Sequence, residues 1–175
     1  MPDEPPQVAE LERFLAERGE PLLRTAILLA GSREAGEDLL QAALERLFRG
    51  WRVIRGDPES YLRQILVHLA ADGWRRQGRW RTRLRLLRGE GTGLMPDDTV
   101  HVDDRDQLVR WLVQLPPRQR TAIVLRYWED LSEAETAVAM GCTVGTVKAA
   151  TSRGLRRLRE LSESSYASTG GGYDH

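Results

Sequence analysis

The residues of this chain best suited to act on a partner are cations at helical spacing behind a tight turn. In Val144–Leu161, the side chains of Lys148, Ser152, Arg153, Arg156 and Arg157 lie mostly on one side. Val144, Val147, Leu155, Leu158 and Leu161 fall on the other, so the segment reads as an amphipathic helix with a basic outer face. Ammonium and guanidinium groups held this way suit phosphate oxygens and the acceptor edges of bases. The residues upstream supply the scaffold. Ser132 followed by Glu135 has the spacing of a capping box, which starts a helix. Gly141 suits a left-handed helix end, and Thr143 can cap the next helix with its hydroxyl. Leu131–Leu161, LSEAETAVAMGCTVGTVKAATSRGLRRLREL, therefore reads as a helix-turn-helix that leaves a basic face free for a DNA groove. A basic amphipathic helix alone is as often only a solvated one. The ordered cap, Gly-Cys-Thr turn and second cap favour the DNA reading.

Other chemistries find little support. His68, His101 and His175 are scattered, and no two have the spacing of metal ligands. Cys142 is the only cysteine, which excludes an intramolecular disulfide and a cysteine metal cluster. No glycine-rich phosphate loop or nucleophile motif occurs. The expectation is a protein with no catalysis, metal or cofactor of its own. The net charge of 0 hides an uneven layout. Residues 61–88 hold eight arginines against the single acid Asp72, and residues 89–113 hold six acids and two bases. Residues 114–161 are again basic, so two basic zones flank an acidic one. Lys148 is the only lysine among 26 cations, and arginine binds phosphate well. The N-terminus lacks the layout of a signal peptide, and the longest apolar run, Ala26–Ala30, is too short to span a bilayer. A cytoplasmic protein with no membrane span is expected.

The elements that must position these residues read as helices throughout, and no strand pattern occurs. Residues 1–7 form a loose leader. Val8–Ala30 has helical spacing interrupted by RGEP, which predicts two short helices or one kinked at Pro21. Arg33–Arg52 carries Leu39, Leu40, Ala43, Leu44, Leu47, Phe48 and Trp51 at helical spacing. After a loop, Asp57-Pro58 starts a helix to Arg76 whose tail becomes a run of arginines. Gly89–Asp104 reads as a flexible acidic linker. Gln107–Leu115 and Pro117–Trp128 are helical and lead into the helix-turn-helix. The tail after Ser162 is polar and glycine-rich, with the composition of a disordered segment. The architecture is all-α, with two small helical domains, 8–88 and 106–161, joined by the linker 89–105.

The order and wording of these blocks resemble the extracytoplasmic-function group of bacterial RNA polymerase sigma factors, over about residues 8–161. The strongest match is LPPRQRTAIVLRYWEDLSEAETAVAMGCTVGTVKAATSRGLRRLRE, Leu115–Glu160, similar to region 4 of the family in the form common in actinobacteria. EAGEDLLQAALERLFRGWRVI, Glu34–Ile54, and PESYLRQILVHLAADGWRRQ, Pro58–Gln77, are similar to successive parts of region 2. The resemblance implies that Glu37, Asp38, Leu40, Gln41 and Leu44 dock on the beta-prime coiled coil of core RNA polymerase, although Leu40 and Leu44 are equally readable as core. The beta flap is a second implied polymerase contact. It implies that the loop after the second helix captures a flipped base of the minus-ten element. There Trp51 and Tyr61 can stack, or Trp51 can anchor the loop, while Arg52 and Arg55 reach phosphates. His68 stands where the family often has Asn. Arg75, Arg76, Arg79 and Arg81 would meet the DNA backbone nearby. The helix Val144–Leu161 would enter the major groove of the upstream, minus-thirty-five element. Lys148 and Ser152 would face bases there, with Ala149 and Thr151 beside them. Arg153, Arg156 and Arg157 would grip phosphates, and Arg126 would add a backbone contact.

Ala149 and Ala150 replace positions that are often polar or basic in relatives, which leaves fewer base-reading groups. Many relatives are held inactive by an anti-sigma factor, so such a partner is possible here. The competing reading is a free-standing helix-turn-helix regulator. It has no need of the docking helix, base-trapping loop and arginine run of Glu34–Gln77.

Overall fold

The computed structural model describes residues 6–50, 57–88 and 104–169, with side chains for 9–50, 57–76 and 107–165. Its regular elements are all helical: α1 (Pro6–Ala30), α2 (Arg33–Gly50), α3 (Pro58–Arg88), α4 (Asp104–Val113), α5 (Pro117–Ile123), a π-helical turn (Val124–Trp128), α6 (Glu133–Met140) and α7 (Val144–Thr169). The all-α expectation holds. Most of the expected linker, and the loop carrying Trp51, Arg52 and Arg55, lie outside the described residues. No helix among the described residues is long and apolar enough to cross a membrane.

Three helices differ from the sequence reading. α1 is one helix with Pro21 inside it, where a break or kink was expected. Leu11 and Phe14 before the proline pack against the core, and Leu22, Ala26 and Leu29 after it are buried in the same helical phase, so packing outweighs the roughly 3 kcal/mol a mid-helix proline costs. α3 runs on through the arginine-rich segment to Arg88, since Arg and Leu are good helix formers. α7 continues to Thr169, so residues 162–169 of the expected disordered tail are helical. Ser162 and Ser164 donate their hydroxyls back to the carbonyls of Arg159 and Glu160, at 2.8 and 2.9 Å, and thereby satisfy themselves within the helix.

Local chemistry sets the helix ends. Asp57 caps α3: its Oδ2 accepts from the Ser60 amide at 2.9 Å and the Ser60 hydroxyl at 2.7 Å. The bond from the Ser60 side chain holds the Asp57 carboxyl below its ordinary value. α1 and α2 turn at Gly31-Ser32, then cross at Gly36. A Cβ at Gly36 would lie 2.7 Å from Ile27 Cα, so glycine sets the closeness of that crossing.

The core is one cluster that draws on both halves of the chain. Leu29, Leu47, Leu62 and Leu66 belong to it, and so do Leu112, Leu125 and Ala139. Two polar ties reinforce this contact. Arg120 of α5 is buried, donates to the carbonyls of Leu29 at 3.2 Å and Val113 at 3.0 Å, and lies 5.2 Å above the Trp74 ring. Burial lowers its guanidinium to about 10, which still leaves it charged at neutral pH. Glu129, just past the π-helical turn, accepts from Arg63 Nε of α3 at 2.8 Å and from the Thr25 hydroxyl of α1. Arg63 also reaches Glu59 at 3.2 Å, and Glu59 pairs with Arg18 at 2.9 Å. Helices α1 and α3 and the end of the π-helical turn are thus tied by one chain of charges.

Candidate nucleic-acid interface

The helix-turn-helix is assembled by the caps its sequence announces. Ser132 accepts from the Glu135 amide at 3.2 Å, and the Glu135 carboxylate accepts from the Ser132 amide at 2.8 Å. These two bonds satisfy orphan amides at the start of α6. Hydrogen bonding to the Glu135 carboxyl from Ser132, the side chain first and the backbone amide second, holds that carboxyl below its ordinary value. Gly141 ends α6 at φ 60, a left-handed conformation that suits glycine. Thr143 then accepts from the Thr146 amide at 3.2 Å and starts α7. Asp130, at φ 51, turns the chain from the π-helical turn into this unit, a conformation Asp tolerates better than most residues.

The inner seam of α7 differs from the expected one. Val147, Ala150 and Gly154 are buried and Leu158 is half-buried, whereas Val144 and Leu155 are 38% and 36% exposed. The seam keeps helical spacing but uses small residues that hydropathy does not flag. At Gly154 a Cβ would lie 2.6 Å from Ile123 Cδ1 and 3.3 Å from Gln119 Cβ, so glycine lets α5 approach closely.

The outer side of α7 holds the expected cations. Lys148, Ser152, Arg153, Arg156 and Arg157 are exposed. Arg153 Nε donates to the Ala149 carbonyl at 3.2 Å, and Arg157 pairs with Glu160 at 3.1 Å. Lys148 Nζ lies 3.4 Å from Glu133 Oε2 on the first turn of α6. Between the start of α6 and the middle of α7 runs a groove lined by Glu133, Lys148, Thr151, Ser152, Leu155, Arg156 and Arg159. Ala149 and Thr151 are half-buried. Arg126 is half-buried too, and its Nη1 donates to the Leu131 carbonyl, so its charge is engaged in joining the π-helical turn to α6. Sequence reasoning missed Glu133, Leu155 and Arg159 as groove residues. Arg159 was within reach of it, since Lys148, Ser152, Leu155 and Arg159 follow the helical period. Glu133 was not, because only the fold brings α6 beside Lys148.

On α3, Tyr61, His68, Arg75 and Arg76 are exposed, and Tyr61, His68 and Arg75 recur every two turns on one face. Arg75 pairs with Asp72 and is the main cause holding that carboxyl below its ordinary value. The side chain of Arg79 lies outside the described residues. The helix-turn-helix sits close by: a Cβ at Gly141 would be 3.9 Å from His68 Nε2. On α2, Glu37, Asp38 and Gln41 are exposed. Leu40 and Leu44 are half-buried and pack against the core, so the core reading left open for these two is the one the structure favours.

Residues 15–80 match the family described as Sigma-70 region 2, and residues 105–158 match Sigma-70, region 4. The chain is 36% identical over 161 residues to the RNA polymerase sigma-E factor of Streptomyces coelicolor, covering 88% of this chain and 86% of that one. It is 32% identical over 142 residues to the ECF RNA polymerase sigma factor SigM of Mycobacterium tuberculosis, covering 80% and 70%. Among solved structures it is similar to the sigma factor RpoE of Bartonella quintana, in complex with the anti-sigma factor NepR. There the TM-score is 0.69 at 26% identity, over 88% of this chain and 97% of that one. The chain belongs to the sigma-70 family of RNA polymerase sigma factors, in its extracytoplasmic-function group, and serves transcription initiation.

Proposed function

We propose that this sigma factor docks on core RNA polymerase through the exposed edge of α2 and reads promoter DNA at two places, with no catalysis of its own. The observation that carries this reading is the exposed cationic face of α7, set behind a cap-turn-cap unit. Residues 8–88 form the unit for polymerase and the minus-ten element, and residues 106–161 the unit for the upstream element. The chain then acts where polymerase acts, in the cytoplasm. Glu37, Asp38 and Gln41 offer acidic and amide groups to a polymerase helix. Tyr61, His68, Arg75 and Arg76 line the α3 face toward the minus-ten region, with Trp51, Arg52, Arg55 and Arg79 extending it. On α7, Lys148 and Ser152 meet bases, while Arg153, Arg156 and Arg157 fix register on phosphates. An anti-sigma protein is a further proposed partner, since the similar factor RpoE is held by one.

Two variant sets test this function. Asp38→Arg with Gln41→Arg reverses the α2 edge at exposed positions and spares the half-buried leucines. It abolishes co-purification with core polymerase while far-UV circular dichroism stays unchanged; retained co-purification overturns the docking surface. Arg156→Ala weakens holoenzyme binding to all promoter duplexes alike and lowers the salt slope by about one counterion. Lys148→Ala instead shifts preference at one base pair, by about 1–3 kcal/mol. If neither variant changes DNA binding, α7 is not the recognition helix.

A further inference from the structure

Glu133 is the one acid among the residues lining the α6–α7 groove. It takes no part in the capping box, which uses Glu135. Its pairing with Lys148 does little for stability, because both side chains are well exposed, 62% for Lys148 and 41% for Glu133. The N-terminus of α6 favours a charged carboxylate at this position. A carboxylate in a groove that faces DNA works against affinity unless the DNA offers it a donor. In the major groove the donors are the exocyclic amines of cytosine and adenine.

The spacing of the pair matches one such site. In a G·C pair, guanine O6 accepts and cytosine N4 donates, and the hydrogen bond joining them sets them about 2.9 Å apart. Lys148 Nζ and Glu133 Oε2, 3.4 Å apart, present a donor beside an acceptor in the complementary order. Guanine N7 lies beyond O6 on the same side and gives the three-donor ammonium a second acceptor. An A·T pair gives it only one, thymine O4 with the methyl group beside it or adenine N7 alone.

We propose that Lys148 and Glu133 act as one reading unit for a single G·C base pair of the upstream element, with guanine under Lys148 and cytosine under Glu133. The carboxylate fixes the orientation of the pair and penalises sites that offer it no amine. The unit rests on the reading of α7 as the recognition helix, and it adds a residue from the preceding helix to the specificity of the site.

The test is selection of promoter duplexes, randomised over the upstream element, by holoenzyme assembled from the full chain and core polymerase. Wild type enriches a G·C pair in one orientation at one position. Glu133→Ala removes the acceptor at an exposed position, so the fold is retained. It reduces the preference at that position roughly tenfold or more and raises recovery of unrelated duplexes. Lys148→Ala loses preference at the same position, and the double variant loses no more than either single one. Unaltered preference in Glu133→Ala overturns the proposal, as does a change at a position other than that of Lys148. Uniformly higher affinity with preference intact also overturns it, and makes Glu133 only a repulsive charge. If wild type enriches no upstream sequence and Arg156→Ala has no effect, the recognition-helix reading fails and the unit fails with it. If those two behave as stated and Glu133→Ala does not, only the unit fails.

Discussion

Replacing Gly36 with alanine puts a methyl group where α1 and α2 cross. The new Cβ would lie 2.6 Å from Ile27 Cγ1, 2.7 Å from Ile27 Cα and 2.8 Å from Ile27 N. Ordinary contacts between such atoms are about 3.5–4.0 Å, so the helices must separate by roughly 1 Å. Two of the three atoms are backbone, and no rotamer change relieves them. The helices share a short turn at Gly31-Ser32, and around it Ala26, Leu29, Ala43 and Leu47 are all fully buried. Overpacking costs about 1–3 kcal/mol, here about 2–3 kcal/mol because backbone atoms cannot give way, and alanine's helix propensity returns about 1 kcal/mol. The net loss of about 1–2 kcal/mol lowers the melting temperature by roughly 2–8 °C for a chain of this size. Gly73→Ala is the internal control, because α3 leaves nothing within 4 Å of a Cβ there. That variant gains about 1 kcal/mol and melts about 2–4 °C higher. Thermal unfolding followed by far-UV circular dichroism separates the two. A Gly36→Ala protein at least as stable as wild type refutes the close crossing. The consequence reaches function, since the same α2 carries Glu37, Asp38 and Gln41 on its outer edge.

The tie between the two halves gives a second expectation. Glu129→Ala leaves Arg63 without one of its partners in a site where both side chains are only 12% exposed. Losing one side of a buried pair costs on the order of 3–5 kcal/mol, less here because Arg63 keeps Glu59. The variant should melt earlier and show a larger radius of gyration by small-angle scattering; no change in either would count against the tie. Acid gives a third. The Asp57 and Glu135 carboxyls are both held below their ordinary values, so their contribution is complete above the ordinary carboxylate range, about pH 4. It is lost as pH falls through the folded-state values. Acid unfolding should therefore begin below about pH 4, and Asp57→Asn, which caps without titrating, should flatten its α3 component. An Asp57→Asn titration curve identical to wild type would show that this cap does not contribute.

Much of the fold was legible because its signals are local. Ser132, Glu135, Gly141 and Thr143 each act on neighbours in sequence, and all four behave as their types require. The same holds for Asp57 before Pro58. What sequence did not convey depends on approach from far away. Pro21 passes through a continuous α1 because the packed stripe on either side of it holds the helix. Gly154 and Ala150 form the inner seam of α7 because α5 comes close, and no hydropathy pattern marks small residues as core. Arg126 reads as a free cation in sequence, yet the π-helical turn aims it at the Leu131 carbonyl. No motif or periodicity singles out Arg120, yet it is buried and bonded to carbonyls from both halves of the chain. Glu133 joins Lys148 only through tertiary structure. The groove's cations were visible by periodicity, and its one carboxylate was not.

The central claim, that this chain confers promoter choice on core polymerase, is tested most directly by run-off transcription from a promoter pool, with start sites identified by sequencing. Core polymerase with this chain should start at a discrete set of sites that core alone does not use. Those sites should share an upstream element, and Lys148→Ala should alter its sequence. Start sites identical with and without the chain, or a shared element left unaltered by changes at Lys148, Ser152 and Arg156 together, would contradict the account.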